Sequence, residues 1–240
     1  MRLILASASP RRAELLRAAG YEFEIIVADV DERARGGETP DAYVRRLAAE
    51  KSAAVMTFVG GPERAALRTN TAAAPPADLL MTGVARPFQG RDRGAESPAL
   101  RETLADVIIL GADTTVVVDG EILGKPRDDD EAAAMLRRLA GRRHEVLTGV
   151  SIRYGAHEVG RVESTAVWFS ALTKEDIAWY LASGEGRDKA GAYAIQGLAS
   201  RFIPRIEGSY ANVVGLPVAA VAALLRSVLA SHPETGYSDD

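Results

Sequence analysis

Val107-Ile108-Ile109-Leu110-Gly111-Ala112-Asp113-Thr114-Thr115-Val116-Val117-Val118-Asp119-Gly120 is the stretch on which the reading of the fold turns. The unbroken apolar, β-branched run Val107–Leu110 is the pattern of a central strand buried on both faces. Thr114–Val118 continues as strand. Asp119-Gly120 has the chemistry of a hairpin turn, and Glu121–Leu123 returns from it. One carboxylate, Asp113, appears at the end of the apolar run. Unpaired burial of a charge is costly, so Asp113 is expected to be paired, metal-bound or at the mouth of a cleft. The residues leave two roles open: a cap or salt-bridge partner, or a general base or Mg²⁺ ligand.

Working outward toward the N-terminus, Leu3–Ala6 reads as a short buried strand, and Ser7-Ala8-Ser9 as a small polar turn. Pro10 sits where a helix favours proline, at its first position. Arg11–Ala19 follows as helix, with Leu15 and Leu16 on its apolar face and Gly20 as its stop. Tyr21–Val27 reads as a second strand and Asp29–Pro40 as a polar loop. Asp41–Val55 reads as a helix with Tyr43, Val44, Leu47 and Ala48 inward. Toward the C-terminus, Asp128–Ala140 has acidic residues first, Arg137 and Arg138 late and Gly141 after it, the order a helix dipole favours. His144–Tyr154 and Glu158–Phe169 read as two long antiparallel strands. Thr173 caps a helix with Asp176 at its third position, running to about Ala182. Gly184–Gly208 is rich in glycine and charge, and Pro217–Ala230 is an Ala/Val/Leu helix.

The segment at about 57–106 differs in character, with Gly60-Gly61-Pro62, Ala72-Ala73-Ala74-Pro75-Pro76 and Gly90-Arg91-Asp92-Arg93-Gly94. It carries little sustained period apart from a candidate short helix over Ser97–Leu104. So long a stretch without structure is unusual inside a compact domain. The expected organisation is one domain over 1–232, interrupted by a mobile insertion at about 57–106, with a disordered tail over 233–240.

Composition narrows the function classes. The chain has 240 residues and no cysteine, which excludes disulfides, Cys-ligated zinc, iron–sulfur clusters and a thiol nucleophile. Cysteine-free chemistry fits a cytoplasmic protein. No apolar run approaches the roughly 20 residues of a membrane helix, and the first apolar stretch is too short for a signal peptide, so no membrane partner and no secretion are expected. With 29 Lys+Arg against 33 Asp+Glu the net charge is −4, against stable nucleic-acid binding but compatible with one small basic pocket. Gly120-Glu121-Ile122-Leu123-Gly124-Lys125-Pro126 resembles a phosphate-binding P-loop only superficially. Its glycines are too close and Pro126 stands where Ser or Thr is needed. His144, His157 and His232 lack ligand spacing.

Several stretches remain that can carry chemistry. Ser7-Ala8-Ser9-Pro10-Arg11-Arg12 places free backbone N–H groups, two hydroxyls and two guanidinium forks at a helix N-terminus, an anion site in composition. The bland alternative is that Ser9 caps the helix and the arginines are solvated. Lys125, on a restricted turn between Gly124 and Pro126, is placed to aim at the same cleft. In Asp188-Lys189-Ala190-Gly191-Ala192-Tyr193-Ala194-Ile195-Gln196-Gly197, small residues allow close backbone approach. Gln196 offers an amide donor and acceptor suited to a uracil or thymine edge, or else packs structurally. Tyr210 and Asn212 pose the same choice. Among the acidic residues Asp29, Asp31, Glu32 and Glu50, a glutamate is a candidate to complete a cation site with Asp113.

Taken together these stretches resemble the Maf family of nucleoside triphosphate pyrophosphatases. The matching segments are LASASPRRAELL (5–16), Arg46-Leu47-Ala48 with Glu50-Lys51, GADTTVVVDGEILGKP (111–126), AAMLRRLAGRRHEVLTGVSI (133–152), DKAGAYAIQG (188–197) and IEGSYANVVGLP (206–217). Each is modest alone; together, in this order, they are specific. The resemblance implies an α/β fold, a mixed twisted sheet flanked by helices with two lobes and a central cleft, like the inosine-triphosphate pyrophosphatases. It implies hydrolysis of a nucleoside triphosphate to the monophosphate and pyrophosphate with a divalent cation, Mg²⁺ or Mn²⁺. Asp113 would be the proton acceptor and a metal ligand with Glu32. Ser7, Ser9, Arg11, Arg12, Lys51, Thr114, Lys125, Lys189 and Gln196 would bind or select substrate. The segment around Gln196 resembles the branch acting on dTTP and UTP. The alternatives are a 7-methyl-GTP pyrophosphatase, or a nucleotide-binding regulator of septum formation with little catalysis. A homodimer is a family expectation.

Overall fold

The computed structural model describes residues 1–60 and 107–230. The order is β1 (Arg2–Ala6), α1 (Pro10–Ala18), β2 (Glu24–Ile25), α2 (Pro40–Gly60), β3 (Val107–Val118), β4 (Glu121–Leu123), α3 (Asp129–Leu139), β5 (Arg143–Tyr154), β6 (His157–Trp168), α4 (Lys174–Ala182), β7 (Arg205–Glu207), α5 (Tyr210–Val214) and α6 (Val218–Ala230). Short 3₁₀ turns occupy Ala190–Ala192 and Leu198–Phe202. The seven strands form one mixed sheet, ordered β2-β1-β3-β5-β6-β7, with β4 also paired to β3. The expected α/β class with a mixed sheet and flanking helices is the one observed.

β3 is the axis of the sheet. The strand read over Val107–Leu110 and continued over Thr114–Val118 is one 12-residue strand, and β5 pairs antiparallel with it from Ile108 to Val117. On its other edge, β1 pairs parallel only as far as Ala6↔Gly111. β4 takes over antiparallel from Val116↔Leu123. Residues 112–115 are therefore left without a strand neighbour on that edge, and the sheet forks there.

Side chains of β3 alternate between faces. Ile109 packs with Ile4, Ala6 and Val55, and Val117 with Val44 and Leu147, so this face lies under α2. On the opposite face, Ile108, Leu110 and Ala112 pack with Leu16 of α1 and Val221 and Leu225 of α6. Val116 and Val118 pack with Leu136 of α3 and Ile177 and Tyr180 of α4. Thr114 falls between these two clusters.

Helix ends follow their caps. Asp128 accepts the Glu131 N–H at 2.8 Å, and Thr173 and Asp176 form a reciprocal capping box. Asp119 and Gly120 both adopt positive φ, as the hairpin turn requires. Some boundaries differ from expectation. The strand expected over Tyr21–Val27 contracts to Glu24–Ile25, because it pairs only with Ile4 and Leu5 of the short β1 before the chain turns toward the cleft. The helix expected to end at Val55 runs on to Gly60, so 57–60, expected as the start of the insertion, are helical. The rest of that segment, the candidate helix over Ser97–Leu104 and the tail at 233–240 lie outside the described residues. β7 lies in the stretch read as rich in glycine and charge, and the five-residue α5, capped by Ser209 and closed by Gly215 at φ 128°, lies where no element was expected.

Candidate active site

A cleft of about 620 Å³ opens where the sheet forks. It is lined by the turn after β1, the N-terminus of α1, the middle of β3, the Gly124-Lys125 turn, residues 188–196 and the turn after α5. The residues that the resemblance assigns to the site, Ser7, Ser9, Arg11, Arg12, Glu32, Lys51, Asp113, Thr114, Lys125, Lys189 and Gln196, all line it.

On the α2 side, the position of Lys51 depends on missing side chains. A Cβ on Gly111 would lie 2.2 Å from the Ala48 carbonyl oxygen, and one on Gly149 2.2 Å from that of Val44. The backbone of α2 therefore rests directly on the sheet, over Gly111 of β3 and Gly149 of β5. From this seat Lys51 Nζ reaches Asp113 Oδ1 at 2.6 Å and Glu32 Oε1 at 2.7 Å. Lys51 and Asp113 are both buried, while Glu32 is half-exposed. Burial alone would raise the Glu32 pKa, but its hydrogen bond and charge interaction with Lys51, helped by Lys125 and Arg12, hold it below the usual value. Tyr43 of α2 donates to the Glu32 carbonyl at 2.9 Å and so fixes the loop carrying it. Burial, with Asp113 and Glu32 nearby, raises the Tyr43 hydroxyl to about 12, so it stays a donor.

On the other face, Arg12 ties four segments together. Its Nε donates to the Gly215 carbonyl at 2.8 Å, its Nη1 to the Ala112 carbonyl at 2.8 Å and to Ser7 Oγ at 3.2 Å, and its Nη2 to Thr114 Oγ1 at 3.0 Å. The Ala112 carbonyl is one of those left without a strand partner, and Arg12 satisfies it. Burial lowers the Arg12 pKa, partly offset by Asp113 and Glu32, but a guanidinium that starts so high remains charged. Thr114 Oγ1 also meets Thr148 Oγ1 at 3.0 Å. Ser9 occupies the N-cap position of α1 without capping it through its side chain. Its N–H goes to Ser7 Oγ at 3.2 Å instead.

Arg11 is half-buried at the same helix start, and Lys125 and Gln196 are exposed at the rim. Lys189 is ion-paired with Asp188. The other acidic candidates do not join. Asp31 pairs with Arg33, and Glu50 with Arg35 and Arg46. Asn212 is structural, donating from the core to the Val146 carbonyl at 2.9 Å and Thr165 Oγ1 at 3.0 Å. Tyr210 is exposed. Residues that sequence reasoning did not assign to the site are Tyr43, Tyr193, Asp188 and Gly215. Tyr43 was visible as an inward position on α2; the Gly215 carbonyl has no side-chain signature to read.

The donors at the cleft floor are all oxygen, as a hard divalent cation prefers. Lys51 brings the Glu32 and Asp113 carboxylates to one point. Among the described residues no group of three or more His, Cys, Asp or Glu side chains surrounds a common point. Two carboxylates suit Mg²⁺ or Mn²⁺, which keep waters and phosphate oxygens as further ligands.

A forked α/β sheet whose fork holds a lysine-paired carboxylate, with arginines and lysines around it, defines a cationic cleft on an acidic protein. The chain belongs to the family described as Maf-like protein, which matches residues 2–228. Relatives are similar along nearly their whole length. A dTTP/UTP pyrophosphatase of Anaeromyxobacter dehalogenans is 44% identical over 229 residues, covering 94% of this chain and 93% of that protein. One of Hahella chejuensis is 42% identical over 94% of this chain and 91% of its own. One of Vibrio cholerae is 38% identical over 94% and 97%. Among the described residues no helix is long and apolar enough to cross a membrane.

Proposed function

We propose that the protein is a nucleoside triphosphate pyrophosphatase that hydrolyses dTTP and UTP, and modified pyrimidine nucleotides of the same shape, to the monophosphate and pyrophosphate. The observation that carries this reading is the convergence of Glu32, Lys51 and Asp113 at the floor of a cleft with Arg11 and Lys189 on its walls and Lys125 and Gln196 at its rim. Similarity to proteins named dTTP/UTP pyrophosphatase supports the same substrates.

In this reading the triphosphate, with about four negative charges, lies across the N-terminus of α1, Lys125 and Lys189, where cationic groups and backbone N–H groups converge. Asp113 accepts the proton of a water as its oxygen bonds to phosphorus; the bond from that phosphorus to the bridging oxygen breaks, and the electron pair leaves with pyrophosphate. Attack at the α-phosphorus follows from the family resemblance. Lys51 holds the Asp113 carboxylate in place. Glu32 and Asp113 would hold Mg²⁺ or Mn²⁺, which supplies charge neutralisation on the leaving group. Gln196 pairs with the pyrimidine edge, which favours dTTP and UTP over 7-methyl-GTP. A cytoplasmic homodimer is part of the proposal, supported by the absence of cysteine and by the family resemblance respectively.

The test is a panel of UTP, dTTP, CTP, GTP, ATP and 7-methyl-GTP with Mg²⁺ or Mn²⁺, the products separated by ion exchange. UMP or dTMP with pyrophosphate is expected. Orthophosphate as first product, or no turnover of UTP and dTTP, overturns the reading.

A further inference from the structure

Gln196 stands on a loop whose two sides are fastened by one pair of side chains outside the cleft. Tyr180, on α4, is 1% exposed. Its hydroxyl donates to Glu185 Oε2 at 2.8 Å and accepts the Ala194 N–H at 3.1 Å. The other oxygen of that carboxylate, Glu185 Oε1, accepts the Leu198 N–H at 3.0 Å. Residues 194 and 198 flank Gln196 by two positions on either side, so a single Tyr–Glu pair holds both shoulders of the turn that presents it. The backbone runs hard against this pair. A Cβ on Gly197 would lie 1.7 Å from Glu185 Oε1, and one on Gly186 2.1 Å from the Ala192 carbonyl oxygen. Ala192 itself is held at φ 58°, a left-handed conformation that costs free energy for any residue with a Cβ. A loop this tightly determined is pre-organised before ligand arrives.

We propose that Tyr180 and Glu185 are positioning residues that set base selectivity by fixing the loop on which Gln196 reads the pyrimidine. This rests on the reading of Gln196 given above. An amide discriminates between base edges only if its donor and acceptor arrive at a fixed place. A turn free to shift lets the amide follow whichever edge is offered, and selectivity falls. Neither Tyr180 nor Glu185 lines the cleft, so their effect reaches the base only through the backbone of 194–198. Burial, and then the hydrogen bond to Glu185, push the Tyr180 hydroxyl far above its ordinary pKa, so the donor to Glu185 is kept at all working pH.

The experiment compares Tyr180→Phe, Glu185→Gln and Gln196→Ala, measuring kcat/KM for UTP, CTP and GTP, with amide exchange at Ala194 and Leu198 by NMR. Tyr180→Phe keeps the buried ring, and Glu185→Gln keeps one carbonyl acceptor, so the two variants perturb the clamp by different routes. Both are expected to lower the preference for UTP over CTP and GTP by about fivefold or more, the loss of about one hydrogen bond. Both should also speed exchange at the two amides. A merely structural role would lower melting temperature and leave the preference alone. If Gln196→Ala collapses the preference while both clamp variants keep it within about twofold of the parent, the inference is overturned and the role of Gln196 stands. If Gln196→Ala leaves the preference unchanged, base reading by Gln196 fails, and the clamp inference falls with it.

Discussion

The floor and the rim of the cleft are built on opposite plans. At the floor, Arg12, Lys51 and Asp113 are buried, and their polar atoms are taken up by other protein groups: three backbone or side-chain segments around Arg12, and two carboxylates around Lys51. At the rim, Lys125 and Gln196 are exposed and carried by turns. Charge in a low-dielectric floor interacts strongly and needs no rearrangement when a charged transition state forms. Exposed groups at the rim are screened by solvent and depend on the loop beneath them for their aim. Chemistry is therefore expected to tolerate change at the floor poorly, and selectivity to be adjustable at the rim with turnover largely kept.

The sharpest way to break that contrast is Asp113→Asn, which keeps the shape and a hydrogen-bond acceptor for Lys51 but removes the base. Turnover of UTP should fall about 10²–10⁴-fold, with the melting curve still cooperative; near-parental turnover would reject Asp113 as proton acceptor. Gly111→Ala should act next. The added methyl meets the Ala48 carbonyl, so α2 must move and Lys51 with it. A shift of order 1 Å costs about 10²-fold in turnover, and overpacking costs about 1–3 kcal/mol of stability; steady-state kinetics and urea titration read the two separately. At the rim, Gln196→Ala should reduce the preference for UTP over GTP by about tenfold while kcat for UTP changes little, since one neutral hydrogen bond is lost and the floor is untouched.

The smallest effect concerns the wall behind the rim. His144 is buried, bonded through Nε2 to the Tyr193 hydroxyl at 2.8 Å, and set edge-on to Phe169. Burial, and then Arg143, push its pKa down to about 4. Imidazole in the unfolded chain titrates near ~6.5. Between those values the unfolded chain binds a proton that the native state refuses. The stability contribution is therefore present above about pH 6.5 and is lost as pH falls toward 4. Urea titrations at pH 7.5 and 4.5 should show the parent losing on the order of 2 kcal/mol from this group. His144→Gln, which does not titrate, should lack that share of the slope. Equal slopes in the two proteins would contradict it.

Long elements and their caps were readable from the chain. The apolar run of β3, the hairpin at Asp119-Gly120, the capping box of Thr173 and Asp176 and the charge order of α3 are local signals, and each appears where expected. β7 and α5, three and five residues long, were not, because so short a span shows no period; Ser209 and Gly215, cap and stop, were the only marks available. The residues of the cleft were legible as separate stretches, and so was the suspicion that a glutamate would meet Asp113. What could not be read was the wiring. Arg12 lines the cleft, but two of the four partners that hold it are the carbonyl oxygens of Ala112 and Gly215, and a carbonyl belongs to every residue alike. Nor does the letter Gly at 111 and 149 announce that a helix lies on it.

That helix seat has a consequence for how the enzyme could ever be altered. The separation between ammonium and carboxylate is gauged by the thickness of bare backbone, the thinnest spacer a polypeptide possesses. There is no thinner part to substitute, so the adjustment is one-sided: any replacement at Gly111 or Gly149 lifts α2, and none lowers it. A designer wishing to retune the base would have to leave those two positions alone and work from the far ends of Lys51 and Glu32.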